Sequence, residues 1–247
     1  MASALPALIL VSSASAHFDF TPRVEAGKVV TGGHDDEAGV DVDVLRVGGY
    51  DFGETPGDPY NIGDPGFNTM GASSFGAGTQ LRLQALPVDG KYIRYWDGSG
   101  TPNFGPAPSG VTVGLAGSPS RFVTFADSSA TYTPSSTTNL LVGSFASNGA
   151  LHVHLTSSIF KDGLQVDGSV PSGAYLISFE LANLTSSNGA TGVSASEPLL
   201  VIYNNGLTEE QHDAAIDFAQ ASYVPEPATL CGLTMGGLLL GRRRRQV

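Results

Sequence analysis

Hydrophobic and polar positions alternate along most of this chain. In "VDVDVLRV", residues 40–47, Val40, Val42 and Val44 share one side of an extended strand and Asp41 and Asp43 the other, because successive side chains point to opposite faces. Runs of the same kind follow at 80–86, 111–115, 121–126, 140–145, 151–155, 174–181 and 199–203, each bounded by Gly, Pro, Asn or Ser. Recurrent short strands with turn-rich connectors predict an all-β fold, an antiparallel β-sandwich of jelly-roll or Ig-like type. A single C-terminal α-helix interrupts the pattern. In "LTEEQHDAAIDFAQASY" Thr208 fits an N-cap, Gln211 completes a capping box three residues on, and Glu209 and Glu210 place negative charge in the first turn. Pro225 enforces the stop.

Residues 48–78, "GGYDFGETPGDPYNIGDPGFNTMGASSFGAG", hold too much Gly and Pro for regular structure and read as one long loop. Its aromatics Tyr50, Phe52, Tyr60 and Phe67 predict that it packs on the strands. Asp51, Glu54, Asp58 and Asp64 supply oxygen ligands of the kind calcium takes, at spacings that match no calcium loop.

The candidate chemistry lies in the histidines. In "ALHVHLTSSIF", His152 and His154 alternate with Leu151, Val153 and Leu155, so both imidazoles fall on one face of a strand. His17 and Asp19 open "HFDF", and His34 opens "HDDE", with Asp35 and Asp36 behind it. Neutral imidazole is the commonest metal ligand, and several His with a carboxylate suit zinc or copper far better than calcium. The expected site is therefore His17, Asp19, His34, Asp36, His152 and His154, with the N-terminal strand lying near the 151–155 strand. His212, on the helix, is expected to stand apart. The alternative is a polar outer face that meets only solvent.

The two ends carry processing signals. Apolar residues 5–11, followed by Ala14-Ser15-Ala16, look like the back half of a secretory signal peptide, residues 1–16. At the other end Val224-Pro225-Glu226-Pro227 precedes an apolar stretch, 228–240, which closes on Arg242, Arg243, Arg244 and Arg245. In all three parts and in their order, residues 224–247 resemble a PEP-CTERM sorting signal. The resemblance implies recognition by a membrane-embedded exosortase in a Gram-negative bacterium that secretes extracellular polysaccharide. The apolar stretch is shorter than the ~20 residues a spanning helix needs, which suits a transient anchor, and the arginines would hold its end in the cytoplasm. Between the ends, residues 17–223 form one secreted domain.

Charge and composition narrow the function. Setting the four tail arginines aside from the 12 Lys and Arg leaves eight bases against 23 acids, a balance that repels nucleic acid. The lone cysteine, Cys231, lies in the sorting segment, so the domain has neither disulfide nor thiolate chemistry. No nucleophile elbow, H-E-x-x-H or phosphate-binding glycine loop is present. The order H-x-D, acidic His segment and H-x-H strand before "PSGAYLISFEL" also resembles the actinobacterial surface proteins called choice-of-anchor M. That resemblance implies zinc handling at a cell surface. The expectation is a non-enzymatic surface or matrix protein, exported by the secretion machinery and touching the membrane only through its C-terminal segment. Two alternatives stay open: a structural, exopolysaccharide-associated protein without metal, and a polysaccharide-active enzyme. Tyr95 and Trp96 would stack on sugar if exposed, and form core if turned inward.

Overall fold

The computed structural model describes residues 18–35, 39–54, 57–69, 75–118, 120–166, 168–185 and 191–224. The signal segment 1–16, His17, Asp36 and the sorting signal from Pro225 onward lie outside the described residues. The strands, in chain order, are β1 (Phe18–Glu25), β2 (Lys28–Asp35), β3 (Val40–Val42), β4 (Val47–Asp51), β5 (Asn61–Ile62), β6 (Gly66–Asn68), β7 (Gln80–Leu86), β8 (Arg94–Trp96) and β9 (Gly105–Pro106). After them come β10 (Val111–Ser118), β11 (Arg121–Ala126), β12 (Ser129–Thr133), β13 (Leu140–Ser144), β14 (His152–His154), β15 (Thr156–Lys161), β16 (Gly173–Leu184) and β17 (Leu199–Asn205), followed by the helix α1 (Glu209–Tyr223).

Among the described residues the protein is mostly β with one helix, α1, and its sheets are mixed rather than purely antiparallel. Three sheets run in the orders β14-β6-β1-β2-β3, β12-β11-β10-β15-β5 and β13-β7-β16-β17-β4. The pairs β1 with β6 and β17 with β4 are parallel. The main core gathers residues of all three sheets, among them Phe20 and Phe67, Leu83 and Phe179, and Val113 and Phe125. Phe20 meets Phe67 at 5.8 Å and Phe179 at 6.3 Å between ring centroids. A second apolar cluster packs Ala215 and Ala219 of α1 against Leu200, Ile202 and Trp96.

Two expectations change here. The 40–47 run is not one strand: β3 ends at Val42, and Val44 stands 70% exposed, so the alternation there belongs to an edge. The 48–78 stretch is not one loop, since β4 runs into it as far as Asp51 and β5 and β6 fall within it. Gly53, Gly57 and Gly78 do turn the chain at positive φ, but Gly48, Gly49 and Gly66 mark close approach within strands. A Cβ at Gly49 would run into Ile216 Cδ1 and lie 3.2 Å from the His212 ring, because α1 rests directly on β4.

The helix starts as its sequence dictates. Thr208 Oγ1 accepts from the Gln211 amide at 3.3 Å, and Gln211 Oε1 accepts from the Thr208 amide at 3.0 Å. His212 is buried on the helix, with Nδ1 3.3 Å from Asp51 and Nε2 3.2 Å from the Ile202 carbonyl. Trp96 turns inward at 5% exposure and donates to Ser99 O. Tyr95 lies against Tyr175 and donates to Ser172 O, so this pair is scaffold rather than a sugar platform.

Candidate metal centre

The parallel pairing of β1 with β6 aligns Phe20 with Phe67, and the antiparallel pairing of β6 with β14 aligns Asn68 with His152 and Gly66 with His154. Phe20 and Phe67 point into the core, so Asp19, Gly66, Asn68, His152 and His154 occupy the opposite face. Gly66 stands between Asp19 and His154. Having no side chain, it leaves the space through which the Asp19 carboxylate reaches across β6: a Cβ there would stand 2.7 Å from Asp19 Cγ and 2.9 Å from His154 Cε1.

One ligand atom from each of Asp19, His152 and His154 then lies within 4.8 Å of the other two, a geometry that can hold a metal ion. His152 Nε2 and His154 Nε2 are 3.1 Å apart, and Asp19 Oδ2 is 3.6 Å from His152 Nε2. Two nitrogens at a zinc–nitrogen distance of ~2.0–2.1 Å and that separation subtend about 98° at the ion, near the tetrahedral angle. The Asp19 side chain is 5% exposed, whereas His152 and His154 are 59% and 43% exposed, so the site is a buried carboxylate opening to solvent through two rings.

His154 is oriented from behind. Its Nδ1 lies 3.0 Å from the Gly63 carbonyl and 3.4 Å from Asp64 Oδ1. Both neighbours are acceptors, so Nδ1–H donates to them and Nε2 is turned to the site, the usual orienting arrangement of metal-ligating histidine. Asp64 is held in turn from below, where Ser157 Oγ donates to its carbonyl and lies 2.6 Å from the Tyr203 hydroxyl. The Tyr50 phenol, which donates to Phe18 O, is held well above its usual pKa, first by burial and then by Asp64, Tyr203 and Asp19. The two carboxylates beside the histidine pair thus set a negative field that suits a dication.

The structure brings together three of the six residues expected from the sequence. His34 is the register partner of Asp19 and shares its face, but it lies on β2, three strands from β14, or roughly 14 Å at ~4.8 Å per strand. Its Nδ1 faces Asp41 Oδ1 at 2.6 Å. His34 is therefore outside the group of mutually close ligand atoms, drawn toward β3 by Asp41. His17 and Asp36 fall outside the described residues. The sequence pattern points to no role for Gly66 and Gly63 and marks Asp64 only as an oxygen ligand of the calcium type. The signal was the short alternation Gly66-Phe67-Asn68, too brief to register as a strand. Comparison with protein-family models, with curated proteins and with solved structures returned no match.

Proposed function

We propose that this chain is an exported β protein that binds one zinc ion through Asp19, His152 and His154 at the surface of the cell or in its extracellular matrix. The triad supports the metal reading: imidazole nitrogens favour zinc or copper over calcium, and a carboxylate with two histidines leaves one tetrahedral position open. An open position on an exposed rim suits capture and release of the ion, or its bridging to a partner.

Delivery rests on the sorting signal, Val224-Pro225-Glu226-Pro227 with Arg242 to Arg245, and on exosortase as the enzyme that reads it. Among the described residues α1, which packs on the core, is the last element; it ends at Tyr223 with Val224, the first residue of the motif, extended behind it.

Titration of zinc into the purified chain by calorimetry tests the metal claim. One site is expected in the parent chain and none in His154→Ala; equal binding by both refutes it. Fractionation of cells that carry a chain lacking residues 224–227 tests the sorting claim, which fails if surface retention is unchanged.

A further inference from the structure

Burial along the chain from β14 into β15 alternates without a break. Leu155, Ser157 and Ile159 are buried, while His152, His154, Thr156, Ser158 and Phe160 form one outward stripe. The stripe begins at the metal site and runs onto the outer face of the β12-β11-β10-β15-β5 sheet. There, Gly114 on β10 is the register partner of Ser158 on β15 and of Thr124 on β11, while Thr112 faces Phe160 and Ala116 faces Phe122. Phe122 and Phe160 therefore rise from strands on either side of β10, with the Phe160 ring leaning over the buried Gly114, and they line a trough of about 370 Å³.

The composition of this face departs from the rest of the surface. The chain carries 23 acidic residues, yet the outward positions from Thr112 to Ala116, Phe122 to Ala126 and Thr156 to Phe160 include no charge. The hydroxyls of Thr112, Thr124 and Thr156 have no intramolecular partner among the described residues, so their donors and acceptors face solvent. Phe122 is 37% exposed, a ring edge and face offered to water.

We propose that this trough binds a neutral polysaccharide, independently of the metal. Sugar rings present apolar C–H faces, which fit aromatic rings, and a rim of hydroxyls, which fit threonine and serine. The Cα atoms of the two phenylalanines lie roughly 16 Å apart by strand spacing and rise, and the Phe160 ring leans inward over Gly114, so the trough offers two stacking surfaces to a saccharide chain. Charge selects among polymers. An anionic one would meet no cation on this face and would be repelled by the acidic remainder, whereas a neutral one loses nothing by either. A second copy of the chain fits less well, since pairing would bring two net charges of −11 together across a face poor in large apolar side chains.

The test is affinity electrophoresis of the purified chain in gels containing dextran, galactomannan, soluble β-1,3-glucan or the anionic alginate. Retardation is expected in at least one neutral gel and not in alginate. Phe122→Ala and, separately, Thr124→Glu should weaken it at least tenfold, and both lie on the exposed face where the fold tolerates them. His154→Ala should leave it unchanged, so loss of zinc binding and loss of sugar binding separate. The proposal is overturned by migration unaffected in every neutral gel, by retardation in alginate alone, or by retardation that survives both trough variants. It is equally overturned if sedimentation shows a dimer that Phe122→Ala dissolves while no gel retards the chain.

Discussion

Replacing Gly66 by Ala tests the geometry of the metal centre at a residue that offers no ligand. The new Cβ would overlap Asp19 Oδ1 and stand 2.7 Å from Asp19 Cγ and 2.9 Å from His154 Cε1, closer than side chains tolerate. Gly66 is a strand residue without positive φ, so the backbone accepts alanine and the strain falls on the Asp19 carboxylate. Turning that carboxylate to an off-rotamer position costs about 0.5–1.5 kcal/mol, partly offset by the ~0.4–1 kcal/mol that Gly→Ala gains in the unfolded chain. Apo stability should therefore change by no more than about 1 kcal/mol. Zinc affinity should fall by about 100-fold, at the upper end of what losing an orienting partner costs and at the lower end for losing a ligand. At a zinc concentration of about 100 times the parent Kd, binding stabilises the parent by ~2.7 kcal/mol and the variant by only ~0.4 kcal/mol. In a chain of this size that is a zinc-induced rise in Tm of roughly 5–11 °C for the parent against about 1 °C for Gly66→Ala. Differential scanning fluorimetry with and without zinc reads both. A variant that keeps the full zinc-induced rise would refute the arrangement of Asp19, Gly66 and His154.

His34→Ala should leave zinc affinity within about tenfold of the parent by calorimetry, because His34 stands outside the triad and faces Asp41; complete loss of binding would place it in the site. Ser157→Ala should cost about 1–3 kcal/mol in urea denaturation, since it strips a partner from the buried Tyr203 hydroxyl and from the Asp64 carbonyl. Burial raises the pKa of Tyr50, Tyr175 and Tyr203, with Asp64 adding to the effect at Tyr50 and Tyr203. Their folded pKa lies above the unfolded value of ~10, so the stability they contribute is complete below about pH 10 and is lost as pH rises further. The urea midpoint should accordingly fall above that pH, with tyrosinate absorbance rising together with unfolding; full ionisation of all tyrosines in a folded chain would contradict the burial.

The core strands and the helix were legible because their signals are local. The period-2 runs at 80–86, 111–115, 121–126 and 199–203 became β7, β10, β11 and β17, and Thr208 with Gln211 formed the capping box. The histidine strand was legible for the same reason, and β14 carries the exposed, half-buried, exposed pattern that HVH dictates. The site as a whole was not. Its assembly depends on a parallel pairing between β1 and the three-residue β6, a non-local contact that no periodicity announces. Glycine misled twice: Gly49 and Gly66 read as loop residues, yet one makes room for α1 and the other for the Asp19 carboxylate. His34 misled in the opposite sense. Its spacing from Asp19 does place it on the same face, but Asp41 on β3 supplies a nearer partner.

The claim that Asp19, His152 and His154 together hold one zinc ion is tested most directly by anomalous diffraction at the zinc edge from crystals of the chain grown without chelator. The account predicts a single peak ~2.0–2.2 Å from His152 Nε2, His154 Nε2 and a carboxylate oxygen of Asp19. No peak there after zinc soaking, or a peak at His34 and Asp41 in its place, would contradict it.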